Sequence, residues 1–186
     1  MTRTLILGGA RSGKSGLAER LAHASGKEVV YVATSYAGDA EMTARIAHHR
    51  ARRPAEWKTV EEATALAATL RAVCAPGRIV LVDCLTLWLT NLMFSTHEDY
   101  PDVGPIDLPP SFVSERAALL AWLDEPLTGD VIFVSNEVGM GIVPYGAVSR
   151  AFVDEAGRLN QDVAALCERV LFVAAGLPLA LKGAPC

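Results

Sequence analysis

Gly8, Gly9, Ala10, Arg11, Ser12, Gly13, Lys14 and Ser15 follow one another in the pattern GxxxxGK[ST]. Glycines at these positions let successive backbone N–H groups turn inward and form a nest for an anion. A helix that begins where the loop ends adds the positive end of its dipole. In such a cradle Lys14 reaches the β- and γ-phosphates of a nucleoside triphosphate, and the Ser15 hydroxyl binds Mg²⁺. The metal needs a second oxygen ligand, expected at the end of a neighbouring strand. Arg78-Ile79-Val80-Leu81-Val82-Asp83 ends an apolar run in a carboxylate, and Asp83 would orient Mg²⁺ directly or through water. An Asp that merely opens a loop is common; its pairing with the cradle is what points to the metal.

The segment Met42–Arg53 holds a second kind of chemistry. His48 and His49 are adjacent, and Arg45, Arg50, Arg52 and Arg53 surround them. A solvated basic helix face is the bland explanation. The alternative is nucleophilic: an imidazole with a pKa of about 6.5 is largely neutral at neutral pH and can attack a phosphate. The arginines would then stabilise the charge that develops and the departing pyrophosphate. This segment follows the second strand, whose C-terminal end is expected beside the cradle in an α/β sheet. Neighbouring residues point about 100° apart on a helix, so only one histidine can face a nucleotide. His49 shares a face with Met42 and Ile46, His48 with Ala44 and Ala51, and periodicity does not choose between them.

Short apolar runs alternating with helical patterns would position these groups. Strands are expected at Thr4–Leu7, Val29–Ala33, Ile79–Val82 and Val131–Val134. Two short closing strands, Val170–Ala174 and Leu179–Leu181, should surround Gly176-Leu177-Pro178. Helices are expected at Ser15–Ala24, from Asp39 to about Arg52, and at Val60–Val73, Leu85–Phe94, Ser111–Leu123 and Ser149–Arg169. Thr34–Gly38 reads as a loop, and Ser95–Pro110 as a longer, Pro-rich one. The alternation predicts an α/β fold with a mostly parallel sheet and helices on both faces. The link through Gly176 is too short for a crossover, so the last strand should pair antiparallel at one edge.

The chain has 186 residues, of which 51% are apolar, enough for one domain, residues 1–186, with one core. A net charge of −4 does not suggest a nucleic-acid surface. Cys74, Cys84, Cys167 and Cys186 lie far apart without metal-ligand spacing, and read as reduced thiols. No signal-peptide pattern appears, and no apolar stretch approaches the ~20 residues of a membrane span. A soluble, cytoplasmic enzyme is expected.

Beyond the cradle, Ala33-Thr34-Ser35, Arg45-Ile46-Ala47-His48-His49-Arg50, Val82-Asp83-Cys84-Leu85-Thr86-Leu87-Trp88 and Ser135-Asn136-Glu137-Val138-Gly139-Met140-Gly141-Ile142-Val143-Pro144 stand in order along the chain. Arg158-Leu159-Asn160-Gln161 and Leu181-Lys182-Gly183 follow them. Together they resemble the bifunctional adenosylcobinamide kinase and adenosylcobinamide-phosphate guanylyltransferase family of cobalamin biosynthesis. The stretch from Asn136 to Pro144 is the most specific part of the resemblance.

The resemblance implies a P-loop NTPase fold of RecA-like type, assembled as a homotrimer, with Mg²⁺ and either GTP or ATP. It implies phosphorylation of adenosylcobinamide, then GMP transfer to adenosylcobinamide phosphate through a guanylylated histidine matching His48. The nucleotide contacts it implies fall on residues 8–15, on Ala33, Thr34 and Ser35, on His49, Arg50, Ala51 and Arg52, on Glu61 and on Asp83. It assigns no corrinoid contact to Ser95–Pro110. Asn136 and Glu137, at the end of the fourth strand, read equally as polar groups of the site or as a turn-forming Asn with a solvated Glu. A monofunctional P-loop kinase of a small metabolite would need the cradle and Asp83, but neither His48 nor the arginines. A non-catalytic GTP switch is disfavoured, because the chain lacks an Asn/Thr-Lys-x-Asp guanine-reading motif.

Overall fold

The computed structural model describes residues 1–35, 54–96 and 99–184. Strand β1 (Arg3–Gly8) runs directly into the glycine-rich loop and helix α1 (Lys14–Ala24). There follow β2 (Glu28–Ala33), β3 (Lys58–Glu61), α2 (Leu66–Val73), β4 (Arg78–Asp83), α3 (Leu85–Met93), α4 (Pro110–Asp124), β5 (Asp130–Asn136), α5 (Ala147–Leu166), β6 (Arg169–Ala174) and β7 (Leu177–Lys182). They build a seven-stranded sheet in the order β3-β2-β4-β5-β1-β6-β7. Every pairing is parallel except β6 with β7, which gives the α/β fold with an antiparallel edge that the alternation of elements predicts.

The strands are apolar on both faces because helices cover both. On one face Leu5, Leu7, Val80, Val82, Val131 and Phe133 join side chains of α2 to α5, with Trp88 and Phe112 among the largest buried residues. On the other face Ile6, Ile79, Leu81, Ile132, Val134 and Leu171 meet Leu17, Ala18 and Ala22 of α1. Among the described residues, no helix is long and apolar enough to cross a membrane.

Four expectations change. Val60–Val73 is not one helix: Lys58–Glu61 forms an edge strand, and α2 begins only at Leu66. Lys58-Thr59-Val60-Glu61 pairs parallel with Val30–Ala33, and the β-branched Thr59 and Val60 suit that pleated edge. The turn into α2 is made by Glu62, whose Oε1 accepts the N–H groups of Thr64 and Ala65, both at 2.8 Å. Next, the C-terminal end of β2 does not lie beside the cradle. Strands β4 and β5, later in the chain, are inserted between β2 and β1, so the two ends are three ladder steps apart, about 14 Å. Finally, β7 starts at Leu177, so the hairpin turn is Ala175-Gly176 alone, with φ values of 52° and 79°, matching a two-residue turn that twists with its strands. Helix α5 begins and ends two to three residues before the expected Ser149–Arg169 span. The helix expected from Asp39 to Arg52 lies outside the described residues.

Candidate nucleotide site

The loop after β1 takes its shape from its backbone. Gly13 has φ +97° and caps α1, a conformation that side chains rarely adopt. At Gly8 a Cβ would meet the Val173 carbonyl oxygen at 2.5 Å, so a side chain there would push the loop off β6. The loop is closed by Ser12 N–H donating to Gly9 O (3.2 Å) and secured from outside by Gly176 N–H donating to Ser12 O (2.8 Å). The β6–β7 hairpin therefore buttresses the cradle. Ser15 stands in the first turn of α1.

Lys14 is 8% exposed, and its Nζ donates to Gly9 O at 3.1 Å. Burial holds its ammonium below the ordinary lysine range, opposed by nearby Cys84 and Asp83. The Asp83 carboxylate, at the end of β4, lies on the same sheet face as α1, since the strand places Ile79 and Leu81 there. The Tyr31 hydroxyl donates to Asp83 Oδ2 at 2.9 Å. Asp83 thus lies close enough to act on the charge of Lys14, but from the second strand over: β5 separates β4 from β1.

The ends of β2 and β4 are stitched together. Fully buried Thr34 accepts Cys84 N–H at 2.8 Å and donates to Cys84 O at 2.7 Å through one hydroxyl. Its own N–H donates to Asp83 O at 3.2 Å. Asn91 Nδ2 donates to both Thr34 O (2.7 Å) and Ala63 O (2.9 Å), tying α3 to the same corner. Ala33 is buried and pairs with Glu61 across β2 and β3, and Ser35 follows at the half-buried strand exit. The Cys84 thiol is buried, and desolvation pushes it up to about 11, so it is a neutral packing group. The structure therefore gathers residues 8–15 and Asp83 at the cradle and sets Ala33, Thr34, Ser35 and Glu61 towards the β3 edge. His48, His49, Arg50, Ala51 and Arg52 lie outside the described residues.

Sequence reasoning gave Tyr31 no role and Gly176 none beyond its turn. Tyr31 and Gly176 act on residues about 50 and 164 positions away in the chain, and no local pattern announces such a partner. Asn136 and Glu137, without a role until now, emerge at the end of β5, directly beside the cradle: Asn136 is paired with Gly8, and Glu137 N–H donates to Gly8 O at 3.1 Å.

The family described as cobinamide kinase / cobinamide phosphate guanyltransferase matches residues 4–181. The chain belongs to this family. It is 59% identical to the bifunctional adenosylcobalamin biosynthesis protein CobP of Pseudomonas aeruginosa, over 98% of this chain and 99% of that protein. It is 41% identical to the bifunctional adenosylcobalamin biosynthesis protein CobU of Escherichia coli, over 96% of this chain and 98% of that one. Among solved structures, a prototypical ATPase from a bacterial type III secretion system superposes with a TM-score of 0.57 at 14% identity. That match covers 96% of this chain and 56% of the ATPase. Another ATPase of that system, EscN, gives 0.55 at 14% identity, with 94% of this chain and 43% of that one covered. At such identity these two likenesses speak for the fold, which this member of the cobinamide kinase family shares with P-loop ATPases.

Proposed function

We propose that residues 1–186 act as one catalytic domain that performs two reactions in turn. In the first, the aminopropanol hydroxyl of adenosylcobinamide attacks the γ-phosphorus of ATP or GTP. The new O–P bond forms as the bond to the β,γ-bridging oxygen breaks, and the nucleoside diphosphate leaves. In the second, the His48 imidazole attacks the α-phosphorus of GTP, and pyrophosphate leaves. A phosphate oxygen of adenosylcobinamide phosphate then takes the GMP from the phosphoramidate, freeing the histidine. The observation that carries this reading is the cradle of residues 8–15 with Lys14 and Asp83 converging on it, in a chain matched to the family over almost its whole length.

The residues do complementary work. Loop N–H groups and the dipole of α1 hold the phosphates, and Lys14 balances their charge as it shifts to the bridging oxygen. Burial of Lys14 strengthens that interaction by excluding water. Ser12 Oγ is buried without a hydrogen-bond partner among the described residues, which is the condition an anion or water in the loop would relieve.

Ser15 and Asp83 would hold Mg²⁺. The donor set fits, being hard oxygens from one hydroxyl and one carboxylate. Tyr31 engages one oxygen of Asp83 and leaves the other available. When bound, the ion neutralises charge on the β- and γ-oxygens.

Ser35, Glu61 and the segment carrying His49, Arg50, Ala51 and Arg52 would serve the nucleoside and α-phosphate end, with Ala33 and Thr34 shaping the strand exit. A cytoplasmic homotrimer that uses no nucleic acid completes the reading. Exposed apolar side chains support assembly: Leu177, Leu179 and Leu181 line one side of the edge strand β7. Light scattering on the purified protein checks it, with three times the chain mass expected. The direct functional test is to incubate the protein with adenosylcobinamide, GTP and Mg²⁺ and follow products by mass spectrometry. Sequential appearance of the phosphate and the GDP derivative is expected; accumulation of the phosphate alone would favour a monofunctional kinase.

A further inference from the structure

We propose that the side-chain amide of Asn136 contacts the γ-phosphoryl group in the kinase step, donating from Nδ2 to an oxygen that gains charge as the group transfers. The inference rests on the kinase activity proposed above and goes beyond it by naming a further catalytic residue.

Three observations converge on it. The first is place. β5 is the strand inserted between β1, which carries the cradle, and β4, which carries Asp83. Its last residue, Asn136, is the cross-strand partner of Gly8, the first residue of the cradle. Side chains alternate along a strand, and Ile132 and Val134 pack on the α1 face. Asn136 therefore shares the face of α1, Lys14 and Asp83, at the open end of the sheet.

The second is what holds it. The Asn136 backbone is fixed on both sides: its N–H donates to Thr86 Oγ1 at 2.7 Å, and its carbonyl accepts from Asn160 Nδ2 at 3.3 Å. Its side-chain amide, by contrast, has no hydrogen-bond partner among the described residues, although the residue is half-buried. Asparagine is disfavoured in strands, so a strand-end Asn with a braced backbone and an unused amide breaks a local preference without a structural gain. Such breaks concentrate at functional sites. Glu137 makes the contrast: its Oε1 accepts Gly139 N–H at 2.7 Å, so one of its carboxylate oxygens closes the next turn.

The third is which phosphate. Lys14, the β,γ-phosphate group of this motif, rests its Nζ on Gly9 O. The γ end of the nucleotide therefore lies towards Gly8 and Gly9, the end of the cradle that Asn136 adjoins. An amide there donates to equatorial oxygens whose charge rises in the transition state, and it stands away from the α-phosphate at which GMP transfer occurs.

The test uses the full chain with Asn136→Ala and Asn136→Asp. Asp keeps the shape and the backbone contacts but replaces the donor with a negative charge. Phosphorylation of adenosylcobinamide by ATP is followed for kcat and KM, and covalent labelling by α-³²P-GTP is followed in parallel. Both variants are expected to lose about 10²-fold in kinase kcat, the scale for removing one transition-state donor. In Asn136→Ala neither the KM for adenosylcobinamide nor the labelling rate should change more than about threefold, whereas the charge of Asn136→Asp also repels the γ-phosphate of GTP and slows labelling. Kinase kcat within threefold of wild type in Asn136→Asp would overturn the inference. An equal fall of kinase and labelling in both variants would also overturn it, marking Asn136 as a general or structural contact. If Asn136→Ala fails to fold, Asn136→Asp decides alone. Absence of kinase activity in the wild-type chain would instead sink the functional reading on which the inference rests.

Discussion

The two halves of the sheet's C-terminal edge are built on different principles. Around β6, β1 and β5 the cradle is a run of consecutive residues shaped by backbone torsions and backbone hydrogen bonds, with Gly8 and Gly13 allowing the close approaches and Gly176 the positive-φ turn beside them. Around β4, β2 and β3 the edge is assembled by side chains that reach across the sheet: Thr34 to Cys84, Asn91 to Thr34 and Ala63, Tyr31 to Asp83. The first kind of site leaves no room for a side chain at Gly8 or Gly13 and is written in one stretch of sequence. The second depends on partners some 50 residues apart and shows no local signature. One shapes the loop after β1; the other sets the position of the Asp83 carboxylate.

The largest effect is expected at the cradle. Lys14→Ala should abolish both kinase turnover and GMP transfer, because both reactions need the triphosphate held there. Near-normal kinase activity in that variant, measured by coupled assay, would break the comparison outright.

A smaller effect of another kind is expected on the stitched side. Thr34→Val leaves the Cys84 N–H and C=O buried without their partner, which should cost about 1–3 kcal/mol of stability, read by urea unfolding. Activity should fall with it only as far as Asp83 is displaced. A variant as stable as wild type would show that the Thr34 hydroxyl does not hold the two strand ends together.

The smallest effect is a pH dependence. The Lys14 ammonium is held below the ordinary lysine range by burial, and phosphate binding favours its charged form. Affinity for a non-hydrolysable ATP analogue should therefore be full while Lys14 is protonated and fall as pH rises through its lowered pKa, at a pH where an exposed lysine is still charged. Titration calorimetry at several alkaline pH values, with Lys14→Arg as the control expected to stay flat, checks the sign.

The same contrast decides what was legible in the sequence. β1, the cradle and α1 were readable because motif, strand and helix are contiguous, and Asp83 because an apolar run ends in it. The antiparallel hairpin was readable from a link too short for a crossover. β3 was not, since four residues of half-exposed edge strand merge into the Ala/Leu-rich run of α2 and bury little that would mark a period. Strand order was hidden as well: nothing near β2 says that β4 and β5 will later enter between it and β1, which moved the second strand's end away from the cradle. Asn136 and Glu137 were visible as polar residues after an apolar strand. Only the register with Gly8 and the hydrogen bonds of their side chains separate an open amide from a carboxylate that holds the next turn.

The central claim is that one chain joins phosphoryl transfer at the cradle to guanylyl transfer through His48, and covalent labelling tests it most directly. Wild-type protein incubated with α-³²P-GTP should acquire a label that acid removes and alkali does not, the behaviour of a phosphoramidate. His48→Ala, shown by circular dichroism to be folded, should take up no label while still phosphorylating adenosylcobinamide, and His49→Ala should keep it. Label retained by His48→Ala would contradict the account: if it vanishes from His49→Ala instead, the nucleophile is the neighbouring histidine, and if it survives in both, the histidine mechanism is wrong.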